Sequence, residues 1–210
     1  MRNNQTIADA TWPQGIGESL RSWRVARRMK QAHVADLLKC SQATVSRWES
    51  GAQTPSPREV SAILRLLAAR LSSSGDRALE RLVISSAAQL HLVCDLTQRL
   101  LAASPARERN WRVAASDLAG TPMGRFASPE ISSAESSLRD AGWFADPGAS
   151  VEIETGANED DDVPILPGRF RWTRIRLSDG SFARLVETLT PASDIVTSRR
   201  PDGPPRRSLR

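Results

Sequence analysis

The chain has 210 residues, a length that can hold one or two domains with a genuine hydrophobic core. Hydrophobic residues make up 40% of it, and no run approaches the roughly 18 apolar residues of a membrane-spanning helix. The first residues lack the apolar stretch of a signal peptide. Cys40 and Cys94 lie far apart without metal-ligand spacing, so we expect a cytoplasmic protein with reduced thiols.

The net charge of +5 is distributed unevenly along the chain. Residues 1–75 carry 11 Lys and Arg against 5 Asp and Glu, residues 76–198 carry 13 against 18, and residues 199–210 carry 5 against 1. Basic charge is therefore concentrated at the two ends, where it could neutralise nucleic-acid phosphates. The acidic middle is not expected to be a nucleic-acid surface.

The first part of the chain predicts a flexible arm and then four helices. The arm covers residues 1–15, and the helices are expected over 16–29, 31–38, 42–50 and 57–71. In the second helix Val34, Leu37 and Leu38 recur at helical spacing, and in the third Val45 and Trp48 do so. Ser41 and Ser56 are good N-cap residues, Pro57 a good first residue, and Gly51 a good residue after a helix end.

The third helix leaves a small, hydrogen-bonding face outside its narrow apolar stripe. Side chains of this kind suit a helix that enters the DNA major groove and reads base edges. The residues on this face are Gln42, Ala43, Thr44, Ser46 and Arg47. The alternative interpretation is an ordinary helical hairpin with a solvated face.

The segments 20–31, 41–51 and 55–57 resemble the phage-repressor-like (xenobiotic-response-element, or Cro/C1) helix-turn-helix family, over about residues 16–71. The resemblance implies that 42–50 is the recognition helix, that Gln31 holds a phosphate, and that Arg24 pairs with Glu49. We expect base contacts from Gln42, Ala43, Thr44 and Arg47, and backbone contacts from Gln31, Ser46, Arg27 and Arg28. The turn departs from the family because Lys39-Cys40 stands where glycine and an apolar residue are common, which predicts either some strain or a slightly different turn shape.

The following segment predicts a linker and an amphipathic connecting helix. Residues 72–75 are a linker by composition, and residues 76–88 are helical, with Leu79, Leu82 and Val83 on one face. A single recognition helix contacts too few base pairs for selection in a genome, so we expect a homodimer on an inverted repeat. These three residues are the predicted dimer interface. The alternative is that they fold back on the chain's own sheet in a monomer.

From residue 89 the pattern predicts strands. Two strands over 90–94 and 99–103 precede a helical middle with a helix beginning at Ser128 and Pro129, and three strands follow over 151–155, 168–177 and 181–189. Ser178-Asp179-Gly180 predicts a hairpin. This order resembles a PAS domain over residues 89–190. The predicted fold class is a multidomain chain: an all-α, five-helix-type helix-turn-helix domain, then an α+β PAS-like domain with a five-stranded antiparallel sheet. Residues 191–210 predict a disordered basic tail.

The PAS resemblance implies dimerisation, or a small-molecule or protein signal, at the second domain. A haem-binding PAS domain commonly takes a His ligand from the helical middle, and the photoactive flavin type needs a reactive Cys there. In this chain His91 and Cys94 lie on the first predicted strand instead. We therefore expect no cofactor. His91 is expected to be packed or solvated. The acidic loop 158–162 lacks a calcium-binding pattern, which predicts no metal site.

Catalytic patterns are missing from the sequence. A self-cleaving peptidase of the repressor type needs a Ser–Lys pair, but Lys30 and Lys39 are the only lysines and both lie in the helix-turn-helix. We therefore expect no enzyme activity. The sequence predicts a double-stranded-DNA-binding transcription regulator that does not associate with membranes, with a protein-interaction adaptor built on the same fold as the alternative.

Overall fold

The computed structural model describes residues 16–191. The predicted arm over 1–15 and residues 192–210 of the predicted tail lie outside the described residues. Pro191, which sequence analysis placed in the tail, is the last residue of the final strand.

The N-terminal part of the structure is formed by four short helices. They are α1 (Ile16–Ala26), α2 (Gln31–Leu38), α3 (Gln42–Glu49) and α4 (Pro57–Leu67). α1 ends before the predicted residue 29, and the chain turns through Arg28, which has a φ of 53°. α4 ends four residues before the predicted position. Within residues 16–191, no helix combines the length and the apolar character that crossing a membrane requires.

One apolar core holds these four helices together. α2 contributes Val34 and Ala35 to it, whereas Leu37 is 48% exposed, so the predicted apolar face of this helix is rotated by part of a turn. The fully buried members of the core come from all four helices: Leu20, Val34, Val45 and Ile63. Trp23 and Trp48 fill the space between them.

Local signals in the sequence determine where the helices begin. The hydroxyl of Ser41 accepts a hydrogen bond from the backbone N–H of Thr44 at 3.1 Å, which caps α3. Ser56 caps α4 in a reciprocal arrangement in which its own N–H donates to Glu59 at 2.7 Å. Lys39, in the turn between α2 and α3, has a φ of 55°, a left-handed conformation that costs a residue with a Cβ atom about 1–2 kcal/mol.

The C-terminal part contains a five-stranded antiparallel sheet, which confirms that prediction. Its strands are β1 (Leu90–Cys94), β2 (Leu100–Ala103), β3 (Ser150–Thr155), β4 (Gly168–Arg176) and β5 (Phe182–Pro191), in the spatial order β2-β1-β5-β4-β3. β4 and β5 are joined by a hairpin through Gly180, which has a φ of 79°. The turn residues 178–180 therefore form the predicted hairpin.

The segment between β2 and β3 is helical, as the element order predicts. It contains α6 (Pro105–Glu108), α7 (Ala115–Leu118), a 3₁₀ turn (Met123–Phe126) and α8 (Pro129–Ser137). The hydroxyl of Ser128 caps α8 by accepting from the N–H of Ile131 at 3.2 Å. This helical middle packs on the face of the sheet that carries Val93, Trp172 and Val186.

A further helix, α5 (Ser74–Ile84), covers the opposite face of the sheet. It begins at the Ser73 cap, so Ser74 and Gly75, which composition placed in a linker, are its first helical residues. α5 packs against β1 and β2, where Leu92 and Cys94 are buried. The helix-turn-helix part therefore has four helices instead of the predicted five.

The predicted dimer interface does not form one exposed stripe. Val83 is only 3% exposed and, with the partly buried Leu79, packs against the chain's own sheet. Leu82 points away from the sheet and is 68% exposed. The fold therefore satisfies two of the three apolar side chains internally and leaves one for solvent or a partner.

A buried charge cluster connects β1, β4, β5 and the helical middle. The carboxylate of Asp95, which has no exposed surface, accepts from Nε of Arg174 and Nε of Arg184, each at 2.9 Å. It also accepts from the indole N–H of Trp143 at 3.0 Å. Arg184 donates in addition to Glu135 on α8 at 3.1 Å. Two carboxylates thus balance two guanidinium groups, which is how a protein interior tolerates charge.

Removing the central carboxylate of this cluster should destabilise the fold strongly. We expect Asp95→Ala to lower the free energy of unfolding by about 3–5 kcal/mol, because it leaves buried guanidinium groups without their counter-charge. Urea denaturation followed by tryptophan fluorescence measures the loss. Glu152→Gln is the matched control, since Glu152 pairs with Arg169 and Arg171 at the surface, and it should leave the midpoint unchanged. Equal midpoints for the two variants would contradict the assignment.

Candidate nucleic-acid interface

α3 exposes a short ridge of side chains. Val45 and Trp48 face the core, so Gln42, Ala43 and Arg47 are left exposed on the opposite side. Thr44 and Ser46, also predicted to contact DNA, are half-buried. The ridge is narrow because α3 has only eight residues.

A chain of hydrogen bonds connects this ridge to the interior. Arg24 on α1 donates from Nε and Nη2 to both oxygens of Glu49, at 2.7 and 2.8 Å. A third nitrogen of Arg24 donates to the backbone oxygen of Met29 at 2.9 Å. The amide of Gln31 donates to Glu49 at 2.9 Å, and the amide of Gln42 donates to Gln31 at 3.2 Å. α1, α2 and α3 are thus joined by one set of polar side chains.

Glu49 lies at the centre of this network with a side chain that is only 3% exposed. Burial alone would raise the pKa of its carboxyl group, but hydrogen bonds from Arg24 and Gln31, together with the nearby guanidinium charges, outweigh burial and hold the pKa below its ordinary value. The carboxylate therefore stays ionised at neutral pH. An ionised, fully paired group fixes the amide orientations of Gln31 and, through it, Gln42.

Arg47 has partners that sequence analysis did not identify. Its Nε donates to the side-chain oxygen of Gln53 at 2.8 Å, and its Nη2 lies 3.5 Å from the hydroxyl of Thr44. Gln53 lies in the loop after α3, six residues away, and nothing in its local sequence pattern indicates this contact. Thr44 is in turn 2.8 Å from the hydroxyl of Ser41.

Arg27 and Arg28, the predicted backbone contacts, differ in their surroundings. Arg28 is exposed in the turn between α1 and α2. Arg27 lies over the ring of Trp23, with its guanidinium carbon 4.6 Å from the ring centroid. It also contacts the β4–β5 hairpin, where Nη2 is 3.3 Å from the carboxylate of Asp179 and Nε donates to the backbone oxygen of the same residue. Arg27 thus connects the two parts of the chain.

The tip of the β4–β5 hairpin fits closely between α1 and α5. A Cβ atom at Gly180 would lie 3.2 Å from Cβ of Ala26. Ser178 donates from its N–H and its hydroxyl to Asp76 in the first turn of α5, at 3.1 and 2.6 Å. Although burial opposes ionisation of Asp76, the hydrogen bonds from Ser178 and Ser73 lower its pKa to about 2. The hairpin tip is therefore held on both sides.

A small apolar cavity lies between the sheet and the helical middle. Its volume is about 90 Å³, and aromatic side chains, including Trp111, Phe170 and Trp172, form much of its wall. His91 also lines it and packs edge-on against Trp111, with ring centroids 5.7 Å apart. Burial, reinforced by the charge of Arg107, holds the pKa of His91 well below its ordinary value, so the imidazole is neutral.

Comparison with known proteins identifies the N-terminal part. The model of a family described as a helix-turn-helix domain matches residues 16–72, which takes in α1 to α4 and the short segment after them. No curated protein matches the chain. Residues 16–72 are thus a helix-turn-helix domain, a class of domain that is consistent with DNA as a partner and with a regulatory role.

The Arg24–Glu49 pair should be energetically coupled. In a double-mutant cycle of Arg24→Ala and Glu49→Ala, we expect a coupling energy of roughly 1.5–3 kcal/mol, since two charge-assisted hydrogen bonds are lost together. Urea denaturation at pH 7 measures it. Because the folded-state pKa of Glu49 is lowered, this stabilisation is present above the ordinary pKa of about 4.3 and is lost as the pH falls through the folded value.

The exposed pair Arg112 and Asp161, 3.5 Å apart, is the matched control for this cycle. Its two side chains are mostly in solvent, so its coupling should be near zero. A coupling at Arg24 and Glu49 as small as that of the control pair would show that the network does not hold the helices.

Proposed function

We propose that the chain is a sequence-specific, double-stranded-DNA-binding transcription regulator of the repressor-like (Cro/C1) class. The observation that carries the proposal is the connection of the exposed ridge of α3 to the buried Glu49 through Gln31 and Gln42. An α-helix fits the major groove, and base readout depends on side chains held in a defined direction. Gln42, Ala43 and Arg47 are exposed along one helix and have the chemistry of base readers.

The start of α2 supports a phosphate contact beside the reading helix. Lys30, at the N-cap position, makes no side-chain capping bond, so within residues 16–191 no capping side chain competes with an anion for the first backbone N–H groups of α2. Gln31 begins this helix, and its amide is held by Glu49. A DNA phosphate placed here would fix the register of α3 in the groove without carrying sequence information.

For the C-terminal part we propose a PAS-like sensory or dimerisation role without catalysis. The order of two strands, a helical middle and three strands supports it. The cavity beside His91 is apolar, but its volume of about 90 Å³ lies below the roughly 300–1,000 Å³ of ligand pockets, so a signal molecule there would have to widen it. Contacts of the hairpin tip with Arg27 and Asp76 provide a physical route from the sheet to the turn that precedes Gln31.

DNA binding by the full chain is the first test. We expect the affinity for a random-sequence duplex to fall steeply with salt, with a logarithmic slope of roughly −0.9 for each phosphate neutralised. On the site chosen by in vitro selection, Gln42→Ala and Arg47→Ala should each cost about 1–3 kcal/mol and relax the sequence preference. Gln31→Ala should weaken binding to all duplexes through the lost phosphate contact, and it should also relax the preference at the base read by Gln42, which Gln31 orients. Fluorescence anisotropy measures each case.

Arg112→Ala removes an exposed positive charge from the C-terminal part and is the control for Arg47→Ala. It should change neither the salt slope nor the preferred site. A flat salt slope, or no binding at low salt, would instead favour the alternative function, a protein-interaction adaptor. An unchanged preferred site in Gln42→Ala would show that the reading face is assigned wrongly.

We also propose that the protein binds an inverted repeat as a homodimer, since one short helix contacts too few base pairs for genomic selection. Sedimentation of the full chain at tens of micromolar should show a dimer. Leu82→Asp should weaken the dimer about tenfold or more if the exposed side of α5 is in the interface, because a buried leucine contributes roughly 1.5–3 kcal/mol.

Leu166→Asp is the matched control, since Leu166 is 59% exposed and belongs to the loop before β4. It should leave the dimer unchanged. A full chain that remains monomeric both at tens of micromolar and on its DNA would contradict the dimer, and a dimer insensitive to Leu82→Asp would move the interface away from α5.

A further inference from the structure

Arg47 and Gln53 contact each other twice. The side chain of Arg47 donates from Nε to the side-chain oxygen of Gln53 at 2.8 Å, and the backbone N–H of Gln53 donates to the backbone oxygen of Arg47 at 3.2 Å. Between them the chain turns through Gly51, which has a φ of 74°. The backbone bond thus brings Gln53 to a fixed position beside the end of α3, from which its amide reaches the guanidinium.

The contacts of Arg47 leave a defined part of its guanidinium free. This group has one N–H on Nε and two on each terminal nitrogen. Nε is occupied by Gln53, and Nη2 directs one N–H toward Thr44, at 3.5 Å. Among residues 16–191, no group accepts a hydrogen bond from Nη1, and Nη2 has one N–H left over. One N–H of Nη1 and this N–H of Nη2 can form the planar pair of donors that matches two adjacent acceptors.

In the major groove, guanine is the base with two adjacent acceptors, O6 and N7. Adenine has an acceptor at N7 but a donor at N6, which would oppose one N–H of the arginine. A guanidinium held by its Nε end and open at its Nη1 and Nη2 end is thus preset for guanine. Holding it in advance also avoids part of the entropy cost of ordering a long side chain on binding.

We propose that Gln53 is a positioning residue that orients Arg47 for guanine and so determines part of the sequence specificity. The inference rests on the proposed function of α3 as the reading helix. Gln53 acts through Arg47. It keeps the guanidinium in the plane that a guanine requires. It also disfavours the other rotamers of Arg47, in which the guanidinium could donate to a different base or to a phosphate.

The test uses the full chain and the duplex obtained by in vitro selection. The position read by Arg47 is the one at which Arg47→Ala loses its preference. Affinity is then measured for duplexes with guanine, each other base, or 7-deazaguanine, which lacks the N7 acceptor, at that position. For the wild-type protein we expect a preference for guanine of about tenfold or more, and a marked loss with 7-deazaguanine.

Gln53→Ala should reduce the preference for guanine to about a third or less of the wild-type value, because the freed guanidinium samples more rotamers. Affinity for duplexes with another base at the position read by Arg47 should change little. Gln53→Glu keeps an acceptor for Nε and should restore the preference, while weakening all duplexes through its negative charge. In the Arg47→Ala background, Gln53→Ala should have no further effect on the preference. Thermal melting should be the same for all Gln53 variants, since the side chain is exposed.

Other outcomes would overturn the proposal. If Gln53→Ala weakens all duplexes equally, Gln53 contacts the DNA itself; if it leaves the guanine preference intact, the contact with Arg47 does not affect reading. If Gln53→Ala still lowers the preference without Arg47, Gln53 acts by another route. A wild-type protein that binds no duplex, or binds all with equal affinity, would contradict the proposed function itself and not only the role of Gln53.

Discussion

The orientation of α3 in the helix-turn-helix domain depends on one buried carboxylate, that of Glu49. Glu49 receives hydrogen bonds from α1 through Arg24 and from α2 through Gln31, and it is itself the last residue of α3. The apolar core brings these helices together, but apolar contacts are not directional and would permit small rotations of α3. A charged group with several fixed donors does not permit them, because any rotation would leave a buried charge unpaired. The direction of the exposed ridge is therefore set from inside the domain.

The two parts of the chain are connected by packing as well as by sequence. Leu96, in the turn between β1 and β2, packs against the core of the helix-turn-helix domain and also against the apolar clusters on both faces of the sheet. The backbone N–H of Ala69, just after α4, lies 3.4 Å from Sγ of Cys94 on β1. Together with the contact between Arg27 and Asp179, these interactions give the helix-turn-helix domain a definite orientation on the sheet. The sheet and α1 are thus in direct contact.

Local chemistry explains which features could be predicted from the sequence. Helix starts at Ser41, Ser56 and Ser128 follow from capping, a short-range interaction, and the strands follow from alternation and turn residues. The proximity of Arg24 to Glu49 was expected from a family resemblance only. The contact between Arg27 and Asp179 joins residues 152 positions apart, and no periodic pattern encodes such a pairing. Likewise, the amphipathic pattern of α5 shows that a face needs a partner without showing that the partner is the chain's own sheet.

The close approach at Gly180 has a consequence for the geometry of any two-fold assembly. Its φ of 79° and its short distance to Ala26 leave little room for a larger residue, so the separation between the hairpin and α1 depends on a missing side chain. A methyl group there would have to displace α1 or the hairpin by a few tenths of an ångström. If the proposed dimer is symmetric about the sheets, the displacements in the two subunits have opposite senses, and the distance between the two copies of α3 changes by up to twice the displacement in each. If DNA binding is also as proposed, the spacer length between the two half-sites would be sensitive to the size of the residue at position 180.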